Sequence, residues 1–165
     1  MTTTTRSAKG DAATAVVLET FRANGLLIAA GDLLAAPEGL TAARWQVLGA
    51  IALAGRPLTV PQIARRMGLT RQSVQASVNR LRDQRLVAAE ENPDHRRSPL
   101  VRLTELGNRK YAALQRRQGR WINALAADLE LADLSTTARV LCELADNLES
   151  NARSGGKDGR SDATS

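Results

Sequence analysis

The sequence predicts a mainly α-helical fold with one small β-hairpin, an α+β arrangement, and three observations support it. Apolar residues recur every three or four positions over most of the chain, as they do in amphipathic helices. Residues that favour helices, such as Ala, Leu, Arg, Gln and Glu, abound outside one short segment. In that segment two apolar runs, residues 86–88 and 100–103, enclose a polar stretch rich in turn-forming residues, which is typical of a β-hairpin.

Two helices are predicted at the start of the chain. The first spans residues 12–35, and its apolar stripe has Asn24 as one polar interruption. The second spans residues 41–54 and begins at Thr41, a residue type that caps helices well. The stripe of the first helix contains Ala13, Val17, Phe21 and Ile28, and that of the second contains Trp45, Leu48, Ile51 and Ala52.

A third helix is predicted to begin at Thr59. The Thr59 side chain can accept a hydrogen bond from the backbone of Gln62, whose own side chain can reach back to Thr59. Pro61 lies early enough in the helix to lose no helical hydrogen bond. Gly68 ends the helix, because glycine adopts the left-handed conformation at little cost. The buried stripe of this helix is Val60, Ile63, Ala64 and Met67.

A fourth helix follows a short turn, with Thr70 as its N-cap, and runs to about Gln84. Val74, Val78 and Leu81 recur on its inward face, and the opposite face is polar. Glutamine and asparagine can bond adenine in bidentate fashion, arginine can bond guanine, and a small alanine lets a helix approach the bases closely. The residues predicted to contact DNA from this helix are Arg71, Gln72, Ser73, Gln75, Ala76, Asn79 and Arg80, with Arg71 placed for a phosphate.

The tip of the hairpin is also predicted to contact DNA. His95, Arg96 and Arg97 lie there, where they would meet phosphates or enter the minor groove beside the site of the fourth helix. Between residues 57 and 104 the elements follow as strand, capped helix, turn, capped helix and hairpin. That order builds a winged helix-turn-helix, which lays one helix into the DNA major groove.

Positive charge is concentrated in this unit. Residues 56–104 contain ten arginines and four acidic residues, a net charge of +6, which equals the net charge of the whole chain. The remainder of the chain is therefore formally neutral. This distribution favours a polyanionic partner for the winged unit over arginines that merely keep a small helical bundle soluble.

Further helices are predicted from residue 104 to about residue 129 and from about Ser135 onwards. Together with the first helix they flank the winged unit, and their apolar stripes need a partner, for which a second copy of the chain is the economical choice. Two recognition helices related by a twofold axis read half-sites about 10 base pairs apart, so we expect a homodimer on a palindromic operator. A monomer whose terminal helices pack on its own winged unit is the alternative.

Other functional classes are disfavoured by composition. Four aromatic residues are few for the stacking platforms that bind single-stranded nucleic acid. No nucleophile with a base, pair of catalytic acids or phosphate-binding loop is recognisable, so we expect neither an enzyme nor a cofactor. With one cysteine, Cys142, and one histidine, a soft-metal site cannot be assembled within one chain. Cys142 is expected to be a packed, inert core residue rather than an oxidant sensor.

The sequence also gives expectations for localisation and domain boundaries. No run approaches the ~20 apolar residues of a membrane span, and residues 1–13 lack the apolar stretch of a signal peptide, so a cytoplasmic protein is expected. We expect disordered ends at residues 1–12 and 151–165. Residues 13–150 form the folded part, with the winged helix-turn-helix at about 41–104 and dimerisation helices at about 13–35 and 104–149.

From about residue 14 to residue 149, the chain resembles the MarR (multiple antibiotic resistance regulator) family. The matching stretches are residues 40–48, 58–64, 70–84 and 94–107. The hairpin is the most specific of them, because the family pattern there has an Asp, one residue, an Arg, and an ending of the form apolar-x-Leu-Thr. Counting back from Thr104 places that Arg on Arg97, the apolar residue on Val101, and the Asp position on His95, with Asp94 one residue early.

This resemblance implies a homodimer, joined through its N- and C-terminal helices, that represses or activates nearby genes. It also implies small aromatic or phenolic effectors that bind between the dimerisation helices and the winged unit. Phe21, Trp45 and Trp121 could line such a pocket, although aromatic residues at helical spacing are more often part of a core. We therefore expect a sequence-specific regulator that binds double-stranded DNA, a repressor released by a small effector. The alternative is a non-specific or architectural winged-helix module without a ligand.

Overall fold

The computed structural model describes residues 6–155, which form six α-helices, one short 3-10 helix and three β-strands. In chain order these are α1 (Ala8–Ala35), the 3-10 helix (Ala36–Glu38), α2 (Ala42–Ala54), β1 (Leu58–Thr59), α3 (Val60–Met67), α4 (Arg71–Asp83), β2 (Val87–Glu90), β3 (Leu100–Leu103), α5 (Glu105–Leu125) and α6 (Leu131–Gly155). The chain divides after Arg120 into two compact units, so that the end of α5 and all of α6 belong to the second. The predicted fold class, mainly helical with a small β element, is confirmed.

The three strands form one antiparallel sheet with β3 in the centre. Val101 of β3 lies opposite Leu58 of β1 on one side and opposite Ala89 of β2 on the other. The predicted hairpin is therefore confirmed, and it is joined by the short strand that precedes α3. Strand β2 continues two residues beyond the predicted apolar run, to Glu90, whose Oε2 lies 3.3 Å from Nε of Arg102 in β3.

Helices α3 and α4 begin and end as their capping residues predict. Thr59 accepts a hydrogen bond from the backbone of Gln62, and Oε1 of Gln62 accepts one from the backbone of Thr59 at 2.8 Å. Gly68 ends α3 in the left-handed region at φ 61°. Thr70 caps α4 by accepting from the backbone N–H of Ser73 at 3.1 Å. The two helices are therefore fixed at both sides of a short turn, which sets the direction of α4.

One hydrophobic core supports the winged unit. Apolar side chains of α2, α3 and α4 pack together with those of the sheet and with Leu114 of α5. Val74, Val78 and Leu81 are buried, which confirms the inward face predicted for α4. The largest fully buried side chains are Leu48, Leu58, Ile63, Leu81, Leu86, Leu114, Val47 and Val74. Because Val74, Val78 and Leu81 are packed in this core, the opposite face of α4 is held toward solvent.

The junction between the wing and α5 is closely packed. A Cβ added to Gly107 would lie 2.0 Å from the carbonyl oxygen of Leu86, so only glycine allows this approach of α5 to the backbone before β2. Thr104 reinforces the contact, because its hydroxyl donates to the carbonyl of Arg85 at 2.7 Å and accepts from the backbone N–H of Gly107 at 3.0 Å. The first turn of α5 thus packs against the loop that follows α4, at Arg85 and Leu86.

An ion-pair cluster joins the 3-10 helix to α5. Oε1 of Glu38 lies 3.1 Å from Nη1 of Arg117, and Oε2 of Glu38 lies 3.8 Å from Nζ of Lys110. The Lys110 ammonium also donates a hydrogen bond to the backbone carbonyl of Glu38. Tyr111, one residue after Lys110, packs over Gly49 of α2. Burial raises the pKa of the Tyr111 hydroxyl, since a charged phenolate would lose water at this site. These contacts hold the first part of α5 against the winged unit.

Helix α1 exposes most of its apolar side chains. Gly31 and Ala35 are buried, and Gly31 packs closely against Ala42 of α2. The apolar residues on the other sides of the helix are exposed, including Leu26 at 62% and Leu33 at 78%. A helix that is apolar around its circumference needs cover on more sides than α2 provides. The exposed apolar residues of α1 are Val17, Leu18, Phe21, Leu26, Leu27, Ile28 and Leu33.

Several predicted helix ends lie elsewhere in the structure. Residues 8–12, predicted to be disordered, are helical because Ser7 caps α1 by accepting from the backbone of Gly10. Helix α5 ends at Leu125 rather than near residue 129, and α6 begins at Leu131 rather than near Ser135. Helix α6 also continues past residue 150 to Gly155. Of the other residues predicted to be disordered, 6 and 7 have no regular secondary structure, and residues 1–5 and 156–165 lie outside the described residues.

Two other expectations are corrected. Cys142 of α6 was expected to be packed in a core, but its side chain is exposed. The stretch Ala8–Glu38 is long and apolar enough to cross a membrane, with a mean hydropathy of 1.3 over 18 residues, whereas no such run was expected. Thr20, Arg22, Asn24 and Asp32 interrupt the apolar residues of α1, so its average hydropathy is high although it has no unbroken apolar run of ~20 residues. A core helix of a water-soluble protein has the same length and composition, so this helix alone does not indicate a membrane protein.

Candidate nucleic-acid interface

The outer face of α4 is polar and open to solvent. All seven residues predicted to contact DNA from this helix are exposed, while Val74, Val78 and Leu81 on the opposite side are buried. No acidic residue occurs in α4 before Asp83 at its end. Side chains that can read base edges therefore project from a helix whose position is fixed by the core.

Two of these side chains are already paired with each other. Nε2 of Gln75 donates to Oδ1 of Asn79 at 2.9 Å, one helical turn away. The amide group of Asn79 keeps both N–H donors free, and its oxygen can accept a second hydrogen bond. The Asn79 side chain is thus oriented in the free chain, which would lower the entropy lost in a bidentate contact with a base.

The wing tip is organised by a residue that the sequence interpretation did not select. Asn92, only 8% exposed, donates from Nδ2 to the carbonyl of Ser98 at 2.8 Å and accepts at Oδ1 from the backbone of Asp94 at 3.1 Å. Backbone hydrogen bonds from His95 to Asn92 and from Ser98 to His95 complete the turn. Within residues 6–152, the carboxylate of Asp94 forms no ion pair, so the turn is held by Asn92 and not by an Asp–Arg pair.

We predict that Asn92→Ala loosens the wing. The substitution removes both hydrogen bonds and leaves the Ser98 carbonyl without its partner, which should cost about 1 to 3 kcal/mol of unfolding free energy. Amide hydrogen exchange should accelerate at residues 94–98 more than in α4. The exposed neighbour Pro93 offers a control, since Pro93→Ala removes no side-chain hydrogen bond. Unchanged exchange at the tip in Asn92→Ala would show that other contacts hold the turn.

A concave surface lies between α4 and the wing. Its volume is about 400 Å³, and Arg71, Gln72 and Gln75 of α4 line it together with Arg97 of the wing. Its apolar floor includes Val78. The structure therefore brings predicted residues of the recognition helix and of the wing to one surface.

A second surface, of about 670 Å³, lies along the wing and the start of α3, and Glu90 and Asp94 line it together with basic residues. His95 and Arg97 line it with Arg56 and Arg65, two arginines that the sequence places in the basic unit without a specific role. Arg97 borders both surfaces, so its guanidinium lies at the edge of the wing. Arg96 is exposed at the tip. All three predicted wing residues are thus accessible to a nucleic acid.

A third, shallow surface of about 430 Å³ lies where the start of α2 meets α4. Ala76 and Arg80, both predicted to contact DNA, line it with Thr41, Arg44 and Ser77. Arg44 and Ser77 had no predicted role. Arg44 is distant from α4 in sequence, so only the packing of α2 against α4 reveals that it lies on this side of α4.

The three aromatic residues predicted for an effector pocket have different surroundings. Phe21 of α1 is 71% exposed, and Trp45 of α2 is partly buried against the core. Trp121 is the first residue of the second compact unit and is partly buried there. The pocket stays a prediction. Within residues 6–155, the structure shows no cluster of three or more His, Cys, Asp or Glu residues suited to a metal ion.

Residues 38–98 match the MarR family. Among curated relatives, the chain is 45% identical over 122 residues to an uncharacterized protein of Mycobacterium tuberculosis, covering 74% of this chain and 84% of that protein. It is 26% identical over 145 residues to the transcriptional activatory protein BadR of Rhodopseudomonas palustris, covering 86% and 83% of the two chains. The matched segment of the family contains α3, α4 and most of the wing.

Solved structures share the fold. AbsC, a MarR family transcriptional regulator from Streptomyces coelicolor, superposes with a TM-score of 0.73 at 21% identity, covering 90% of this chain and 99% of that chain. PcaV of the same organism was solved with its natural ligand. It superposes with a TM-score of 0.63 at 27% identity, covering 74% of this chain and 89% of that chain. The regulator MOSR of Mycobacterium tuberculosis was solved with DNA. It superposes with a TM-score of 0.67 at 21% identity, covering 80% of this chain and 96% of that chain.

Proposed function

Since the chain belongs to the MarR family of winged-helix transcription regulators, we propose that it binds a palindromic operator as a homodimer and represses transcription until a small aromatic or phenolic effector releases it. A cytoplasmic location, where the DNA is, forms part of this proposal. The family relatives are regulators, and we propose no catalytic activity for the chain.

The outer face of α4 carries the proposal of specific readout. Its exposed residues are amides, hydroxyls and arginines, and Asn79 is oriented by Gln75. A helix that only fills space on a surface would more often expose Lys and Glu. Amide and guanidinium groups match the hydrogen-bonding edges of adenine and guanine in the major groove.

The exposed apolar residues of α1 support the homodimer. Leu26 and Leu33 are separated by seven residues and project from the same side of the helix, away from the buried Gly31. A second copy of the chain can cover this side, and a twofold axis would place two α4 helices on consecutive turns of a duplex. MOSR, which shares the fold, has been solved with DNA, and this supports a duplex as the partner.

The effector part of the proposal is supported by PcaV, which has been solved with its natural ligand. We propose that Phe21, Trp45 and Trp121 contribute to a pocket for an aromatic compound in the dimer. Such a ligand releases DNA only if it binds two dimer conformations with different affinities. Titrations of the operator complex with a panel of aromatic acids measure that difference directly.

The decisive experiment compares Asn79→Ala with Arg97→Ala on two DNA probes. The probes are the duplex enriched by selection with the wild-type protein and a random duplex of equal length. Loss of a base contact should cost Asn79→Ala about 1 to 3 kcal/mol of binding free energy on the selected duplex and little on the random one. Arg97→Ala should weaken both and lower the slope of log affinity against log salt by about 1 per protomer.

The comparison also tests the architectural alternative. If Asn79→Ala weakens the selected and the random duplex equally, α4 does not read sequence and the chain is a non-specific winged-helix module. Gln72→Ala provides a second readout on the same face of α4, at a residue that is exposed and makes no side-chain hydrogen bond within residues 6–152.

A further inference from the structure

The flank of α4 that lies away from the wing has its own cluster of donors. Arg44 at the start of α2, Arg80 of α4 and the hydroxyls of Thr41 and Ser77 line one shallow surface of about 430 Å³. Ala76 also lines it, and its short side chain leaves the centre open. We refer to these residues, Thr41, Arg44, Ala76, Ser77 and Arg80, as the flank site.

Arg44 is held in place by neutral partners. Its Nε donates to Oγ1 of Thr41 at 3.3 Å, and its Nη1 donates to Oε1 of Gln84 at 3.4 Å. Gln84 is fixed in turn, because its Nε2 donates to the carbonyl of Gly39 at 3.3 Å. A guanidinium has five N–H donors, so most of those of Arg44 stay available. The side chain is therefore positioned before any ligand binds.

The charge of the flank site is not compensated by the protein. Within residues 6–152, neither Arg44 nor Arg80 forms an ion pair with a carboxylate. Arg44 is partly buried, so its charge is screened less than that of a fully exposed arginine. Two unpaired guanidinium groups with hydroxyls beside them are suited to an anion with several oxygen atoms, and a phosphate is such an anion.

We propose that the flank site binds a phosphodiester of the DNA backbone on the side of the major groove opposite the wing. The inference rests on the proposed function, because it requires α4 to enter the groove. A helix in the major groove lies between two phosphate backbones. The wing and its arginines border one flank of α4, and the flank site borders the other. Arg44 would then fix the depth and angle at which α4 presents Asn79 to the bases.

The test measures DNA binding by Arg44→Ala in the full chain. The probe is the duplex enriched by selection with the wild-type protein, together with a random duplex. Because a phosphate contact carries no sequence information, affinity should fall by about tenfold on both probes, and the salt slope of the dimer should fall by roughly 2. Ethylation of one particular phosphate in each half-site should weaken binding by the wild-type protein. The same ethylation should not weaken binding by Arg44→Ala.

Two variants separate charge from structure. Arg109→Ala removes an exposed arginine that is paired with Glu105 one turn away on α5, and it should leave the salt slope unchanged. Arg44→Lys keeps the charge and should retain most of the slope. Thermal unfolding of each variant shows whether the fold is intact. If Arg44→Ala is folded but keeps the wild-type slope and ethylation pattern, the flank site does not bind the backbone.

Three further outcomes separate failure of this inference from failure of the proposed function. If inorganic phosphate binds at sub-millimolar concentration, as followed by the fluorescence of the adjacent Trp45, and Arg44→Ala loses this binding but keeps wild-type affinity for DNA, the flank site binds a small anion and not the backbone. A wild-type protein that binds no duplex would refute the proposed function itself. A wild-type protein that binds the selected duplex while Arg44→Ala binds it equally well refutes only the flank site.

Discussion

The double variant Leu26→Glu/Leu33→Glu should convert the proposed homodimer into monomers and abolish tight binding to the proposed operator. Both leucines project from the exposed side of α1, at 62% and 78% exposure in the single chain. Burying two carboxylates against a second copy would cost several kcal/mol, whereas leaving them in water costs almost nothing. A monomer loses the linked second half-site, so affinity for the operator should fall by roughly 100-fold or more.

Sedimentation velocity and a titration of the selected duplex measure the two effects separately. Leu53→Glu is the matched control, since Leu53 is 76% exposed but lies on α2 in the winged unit. The control should remain a dimer and bind the duplex normally. A double variant that sediments as the wild type would mean that α1 is not part of the dimer interface.

Gly107→Ala should destabilise the fold more than other small changes at a glycine. The new Cβ would lie 2.0 Å from the carbonyl oxygen of Leu86, a backbone atom that cannot turn away. Separating the first turn of α5 from this carbonyl should cost about 3 kcal/mol, even after the gain in helix propensity from alanine. For a chain of this size that corresponds to a fall in Tm of about 10 °C.

Gly119→Ala in the same helix gives the matched control. No atom lies within 4 Å of a Cβ at that position, so the substitution should raise stability by up to ~1 kcal/mol through helix propensity. Differential scanning calorimetry of both variants makes the comparison. Equal Tm values for Gly107→Ala and the wild type would show that the approach of α5 to Leu86 is looser than the structure indicates.

Local signals in the sequence predicted the winged unit well. The capping box at Thr59 and Gln62, the glycine at residue 68 and the cap at Thr70 act within four residues, and the structure confirms each of them. The burial of Val74, Val78 and Leu81 followed from helical periodicity alone. Such features depend on neighbouring residues, so the sequence contains nearly all the information needed to place them.

Features that depend on distant residues were not predictable. A strand before α3 was predicted, but its pairing with β3, which joins positions more than 40 apart in the chain, was not. Arg44 reaches the flank of α4 only because α2 packs there, and Asn92 could be recognised as the centre of the wing turn only from its hydrogen bonds. Helix ends also shifted, since a cap such as Ser7 is one of several equivalent polar residues near the chain start.

Selection from a pool of randomised duplexes with the wild-type protein tests the central claim most directly. Two α4 helices related by a twofold axis should enrich an inverted repeat whose half-sites are about 10 base pairs apart, centre to centre. The same selection with Asn79→Ala should lose the preference at one position of each half-site. Enrichment of no common motif, or of a single half-site without its symmetric copy, would contradict the account of a dimer that reads a palindrome through α4.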